Sequence, residues 1–210
     1  MLINKNGAFK YNHKNYPDNN YQTLRQKVLQ CSRCTLRNNC TQVVMGEGNV
    51  NNNIMFVGEA PGANEDKKGR PFVGRAGKLL NKILKAVNIK RKEVYISNIV
   101  KCRPPNNRKP TTSEAKACSP ILQAEFSIIK PKVIVPLGAT ALKHLLDSNA
   151  SITESRGQWF QRGEYYFLPT FHPAYLLRNK NMKKYVWKDF KLIKKAIKRI
   201  EELKNKGQLA

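Results

Sequence analysis

The sequence predicts an α/β fold with a central, mainly parallel, four-stranded sheet. Two observations carry this reading. Short apolar runs of strand length recur along the chain, and segments with helical apolar spacing lie between them. Strands that alternate with helices pair in parallel, because each crossover helix packs back onto the sheet. The size agrees: 210 residues, 40% of them hydrophobic, suit one domain that buries its own core without disulfides.

The elements follow in order. Residues 1–20 are polar and Asn-rich and are expected to form a flexible N-terminal segment, leaving 21–205 as a single domain. From Tyr21, apolar Leu24, Val28 and Leu29 predict a helix leading into CSRC. NIMFVG (53–58) reads as a buried strand, and EAPGANEDKKGRPF after it as a long polar loop. GRAGKLLNKILKAVNI carries Leu79, Leu80, Ile83, Leu84 and Val87 at helical spacing, and EVYISNIV is the second strand. Thr111 and Glu114 have capping-box spacing. Pro120 should restart that helix with Ser119 as N-cap, the restarted helix running to about Lys130. KVIVPLG is the third strand, ATALKHLLD a helix, and EYYFLPT the fourth strand, ending at FHPAYLLRN. From Lys183 a basic helix carries Val186, Phe190, Ile193, Ile197 and Ile200 on its apolar side.

Composition narrows the function. There are 39 Lys and Arg against 14 Asp and Glu, a net charge of +25. Such an excess points to a polyanion, nucleic acid first, although charge alone would also suit an anionic membrane surface. No apolar run approaches the length of a membrane span, and the first residues lack the apolar core of a signal peptide. A cytoplasmic protein with reduced thiols is therefore expected. Its five cysteines are Cys31, Cys34, Cys40, Cys102 and Cys118. In a reduced compartment such a set points to metal or catalysis before disulfides. Two pairs stand out, Cys31 with Cys34 as C-x2-C and Cys102 with Cys118. Four thiolates suit zinc or an iron–sulfur cluster, and spacing alone does not choose between them.

In an open parallel sheet, ligands bind outside the carboxyl ends of the strands. The loops that start at Gly58, Asn98, Gly138 and Thr170 all leave such ends. The first, VGEAPGANEDKKGRPFVGRAG, is rich in Gly and Pro but matches neither phosphate-binding glycine motif. Its carboxylates Glu59, Glu65 and Asp66 also argue against phosphate. Phe72 reads as core or as a stacking platform. His172 stands at a strand's carboxyl end, where a histidine is a better functional candidate than most. His144, inside a predicted helix, and His13, in the N-terminal segment, read as structural.

These motifs together resemble family 4 uracil-DNA glycosylases, the iron–sulfur branch of that superfamily. The segments that carry the resemblance are CSRC, VGEAPGANEDKKGRPFVGRAGKLLNKIL, VYISNIVKCRPPNNRKP, EAKAC, IKPKVIVPLGATA, SRGQWF and FHPAYLLRN, from about Leu24 to Asn179. The resemblance implies a three-layer α/β/α domain that hydrolyses the N-glycosidic bond of deoxyuridine and so begins base-excision repair. It implies a [4Fe-4S] cluster on Cys31, Cys34, Cys102 and Cys118, with Cys40 left over where the family tends to have arginine. Catalysis falls to Glu59 and His172. Uracil binding falls to Ala60, Pro61, Gly62, Phe72 and Asn98. Leu176 or Leu177 would wedge into DNA, with Arg178, Arg103 and Arg108 on phosphates. The implied partner is uracil-containing DNA, with the chain a monomer, no membrane contact, and a replication or repair protein as a further partner.

The competing reading is a non-catalytic iron–sulfur DNA-binding protein, which the presence of Glu59, Asn98 and His172 disfavours. A related branch captures DNA covalently through a histidine in an inserted basic loop. No such insertion lies between the first motif and the second strand.

Overall fold

The computed structural model describes residues 2–6, 20–51 and 53–208. Most of the N-terminal segment, including His13, lies outside the described residues. Within that segment Leu2 and Ile3 depart from the expected looseness: both are fully buried, and the Leu2 amide donates to the His144 carbonyl. Two adjacent apolar side chains were enough to draw this piece of backbone into the core.

Among the described residues the sheet has six strands where the sequence suggested four. They are β1 (Glu47–Gly48), β2 (Ile54–Gly58), β3 (Tyr95–Asn98), β4 (Val133–Pro136), β5 (Phe160–Arg162) and β6 (Tyr165–Phe167), in the order β1-β3-β2-β4-β6-β5. The four expected strands form the parallel centre, and the extra pair are antiparallel edges. The helices are α1 (Tyr21–Leu29), α2 (Ala63–Lys68), α3 (Arg75–Ala86), α4 (Thr112–Ile129), α5 (Ala139–Leu145), α6 (Ile152–Ser155), α7 (Pro173–Arg178) and α8 (Lys183–Asn205).

Strand alternation builds two cores. Met55, Val57, Tyr95, Ile134 and Phe167 face one side, against α1, α4 and α5. Ile54, Phe56, Ile96, Val133 and Val135 face the other, against α3, α7 and α8. The three-layer α/β/α arrangement thus follows from a period of two in strands that are apolar on both faces.

Two helix expectations are corrected. The polar loop after β2 contains α2, with Glu65 and Asp66 in its first turn and Gly69, at φ 66°, as its left-handed C-cap. The helix at Thr111 does not restart at Pro120: α4 runs through it. Proline inside a helix costs about 3 kcal/mol. Here the flanking Cys118, Ile121, Leu122 and Phe126 are all buried, and their burial offsets that cost. The capping box itself forms, with Thr111 Oγ1 accepting from the Glu114 amide at 3.2 Å and Glu114 Oε2 accepting from the Thr111 amide at 2.7 Å.

Candidate active site and cysteine centre

The carboxyl ends of β2, β3, β4 and β6 lie on one edge, and backbone hydrogen bonds tie the loops leaving them together. The Ile99 amide donates to the Gly58 carbonyl (3.0 Å) and the Val100 amide to the Glu59 carbonyl (3.3 Å). The Gly138 amide donates to the Thr170 carbonyl (2.8 Å). The sheet therefore brings Glu59, Asn98 and His172 to one edge.

Asn98 ends β3 and is 2% exposed. Among the described residues its Oδ1 is buried with no hydrogen-bond partner. Gly58 is the reason the amide fits. A Cβ there would stand 2.4 Å from Asn98 Oδ1 and 2.5 Å from the Phe72 ring. Phe72, at φ 51°, is held in its left-handed turn from both sides. Arg91 donates to the carbonyls of Phe72 (3.3 Å) and Pro71 (2.6 Å), and α3 packs Gly77 onto the Phe72 carbonyl.

The Phe72 ring lies 5.6 Å from that of His172. His172 is the N-cap of α7, and its Nδ1 accepts from the Ala174 amide at 3.1 Å. That bond puts the proton of the neutral ring on Nε2. Burial pushes the His172 pKa down to about 4, opposed by the Glu65 carboxylate, so the ring is neutral at pH 7. Gly138, at φ 88°, admits the His172 side chain, because a Cβ there would meet His172 Cβ at 2.9 Å. The loop that bears His172 is itself braced: Thr170 Oγ1 donates to buried Asp189 at 2.6 Å, and Arg156 from SRGQWF pairs with the same carboxylate.

Glu59 follows β2 and faces an open cleft that it lines with Lys109, Thr140, His172, Tyr175 and Arg178. The Thr140 hydroxyl donates to Glu59 Oε2. The other carboxylates of this loop are structural. Glu65 accepts from the amides of Val73 (2.8 Å) and Gly74 (2.6 Å), and Asp66 accepts from those of Thr41 (2.9 Å) and Gln42 (3.3 Å). Ala60, Pro61 and Gly62 connect Glu59 to α2, with Gly62 as its N-cap, and none of the three lines that cleft.

Residues 45–197 match the profile of the Uracil DNA glycosylase superfamily. The chain belongs to that superfamily. It is similar to the type-4 uracil-DNA glycosylase of Thermotoga maritima, at 50% identity over 184 residues, 85% of this chain and 95% of the relative. The type-4 enzyme of Sulfurisphaera tokodaii is 46% identical, over 82% of this chain and 83% of its own. That of Saccharolobus solfataricus is 40% identical, over 85% and 87%.

The structure sorts the basic and apolar side chains that the sequence assigned to DNA, of which Arg178 lines the cleft. Leu176 is fully buried in the core with Phe56 and Phe72, whereas Leu177 is half-buried and Arg178 exposed. Arg108, expected on phosphate, is held by Glu114 through two hydrogen bonds of 2.8 and 2.6 Å. Arg103 donates to the Asn107 side chain at 2.8 Å, fixing a turn in which Asn106 and Asn107 both have positive φ.

Cys31, Cys34, Cys102 and Cys118 line one small apolar cavity between α1, α4 and the 98–110 loop, with Arg33, Arg37 and Lys101 in its wall. No disulfide forms among the described residues. The Cys40 thiol lies against Cys102 and is contacted by the Arg37 guanidinium at 3.8 Å. Burial pushes Cys118 up to about 12 and raises Cys102 and Cys34, with neighbouring thiols adding to each shift. Among the described residues no three Cys, His, Asp or Glu side chains are drawn together as a single-ion site. Sequence reasoning singled out neither Thr140 nor the buried pair Lys101–Glu125 (2.7 Å). Their partners lie 81 and 24 residues away, beyond any local pattern.

Proposed function

We propose that the chain excises uracil from DNA by hydrolysing its N-glycosidic bond, the first step of base-excision repair. The observation that carries this is the Asn98 amide, buried with an unpartnered Oδ1. An orphaned acceptor costs about 1–3 kcal/mol, so its persistence calls for a ligand donor. Uracil flipped from the helix supplies one at N3–H, while Asn98 Nδ2 donates to O4. Cytosine carries an acceptor at N3 and an amine at C4, and so leaves both partners unpaired.

The surrounding residues support the same reading. Phe72 stacks beneath the base. His172, neutral with its proton on Nε2, donates to uracil O2 as negative charge gathers on the leaving base. Glu59, oriented by Thr140, stabilises the oxocarbenium-like sugar and positions water with the backbone of Ala60, Pro61 and Gly62. Leu177 is the wedge that fills the space left by the base, Leu176 being core. Arg178 and Lys109 meet phosphates; Arg103 braces the loop, and Arg108 is occupied by Glu114.

Cys31, Cys34, Cys102 and Cys118 are the ligands of a [4Fe-4S] cluster in this proposal. The donor set fits: four sulfurs around one cavity, not gathered on a single ion, with cationic side chains in the wall to balance thiolate charge. Bound there, the cluster supplies metal–thiolate bonds that join α1, α4 and the 98–110 loop. Uracil release from a uracil-containing oligonucleotide tests the function, with iron and sulfide analysis of the same sample. Absence of abasic product at stoichiometric enzyme would overturn it in favour of a non-catalytic DNA-binding protein.

A further inference from the structure

Lys101 stands between the two sites, three residues after Asn98 and one before Cys102. Its side chain is 1% exposed and that of its partner Glu125, from α4, is fully buried. The ammonium donates to Ser97 Oγ (2.6 Å), the Asn98 carbonyl (2.8 Å) and Glu125 Oε2 (2.7 Å), which uses all three of its protons. Glu125 is equally committed. It accepts from Ser97 Oγ at 2.8 Å, the Tyr95 hydroxyl at 3.0 Å and the Gly46 amide at 3.1 Å.

Stability alone does not explain this pair. Two charges taken out of water lose several kcal/mol each, and a well-packed apolar pair in the same space is often as stable or more so. What the pair adds is direction. Asn98 is the last residue of β3, and the Lys101 ammonium grips its carbonyl. With the Ile99 amide bonded to the Gly58 carbonyl on the other side, that contact holds the peptide that follows Asn98 from both of its polar ends. The backbone of Lys101 reaches the other way: its carbonyl accepts from the Val44 amide at 2.7 Å, and its amide lies on the Cys118 thiol.

We infer that Lys101 is a positioning residue for base recognition, holding the Asn98 amide in register and tying that register to the cysteine centre. The inference rests on the proposed uracil-excising function. Without Lys101 the peptide after residue 98 keeps only its Ile99–Gly58 bond and can tilt about it, and an Asn98 amide free to tilt discriminates poorly between uracil and cytosine.

Two variants test it. Lys101→Met with Glu125→Gln removes both charges, so neither remains buried and unpaired. Lys101→Arg keeps the charge but displaces the contact with the Asn98 carbonyl. For each, the melting temperature, iron content, affinity for DNA carrying an abasic site, and inhibition by free uracil are measured beside uracil release. Folded, iron-loaded variants should bind abasic DNA as the wild type does, while the inhibition constant of free uracil rises about ten-fold or more, about 1.4 kcal/mol. Wild-type inhibition by uracil in either folded variant overturns the inference. Wild-type protein that releases no uracil overturns the proposed function instead, so the two failures are distinct.

Discussion

Single residues set the chemistry, and one of them is a glycine. Gly58 stands where any side chain would strike both the Asn98 amide and the Phe72 ring. Gly58→Ala should therefore force Asn98 and Phe72 to shift, lowering stability by about 1–3 kcal/mol and kcat/KM on uracil DNA about 100-fold or more, read by denaturant unfolding beside release assays. Asn98→Asp removes the donor to uracil O4 and offers an acceptor suited to the cytosine amine. Uracil release should fall about 100-fold or more and cytosine release become detectable, read by product analysis on matched oligonucleotides. His172 gives a pH prediction. Its pKa of about 4 lies below the unfolded value of about 6.5, so the folded state resists protonation. The unfolded chain binds the proton first as pH falls, so stability should decline between about pH 6.5 and 4 and then level off. His144, also near 4 through burial, adds to the same limb. Nuclear magnetic resonance of the histidine rings checks this: the His172 resonance should not titrate above about pH 5.

At the scale of the element, α7 divides one leucine pair between two tasks. Leu176→Ala should lower stability by about 2–5 kcal/mol, because a buried side chain leaves a cavity. Leu177→Ala should leave stability nearly unchanged but slow excision from duplex DNA more than from single strands, where no gap needs filling. Denaturant unfolding beside release assays on both substrates separates the two. That division was invisible in PAYLLR, since both leucines satisfy the same local spacing. What could be read were features whose cause is local: the apolar runs of β2, β3, β4 and β6, the Thr111–Glu114 box, and the strand-end positions of Asn98 and His172. What could not be read depends on distant partners. β1 and β5 are edges of two and three residues with too little apolar pattern to register. The continuity of α4 through Pro120 is decided by burial on every side. Thr140 means nothing until the fold sets it against Glu59.

Across the whole molecule, the surplus of +25 charges acts differently from the pocket. Phosphate contacts position a protein on DNA and carry no base information, while pocket contacts discriminate and add little to the ionic term. The two should separate cleanly by salt titration. Each phosphate neutralised contributes about −0.9 to the slope of log affinity against log salt concentration on duplex DNA. Lys109→Gln, on the rim of the cleft, should flatten that slope by about one while leaving the preference for uracil over cytosine intact. Asn98→Asp should do the reverse, eroding the preference with the slope unchanged. Affinity for duplex DNA with and without uracil, measured across a salt series for both variants, checks the pair. A Lys109→Gln protein that keeps the full slope would move the DNA track away from this rim. Another basic face is then the first candidate: α8 carries Lys184, Lys188, Lys191 and Lys195, all exposed, along one side.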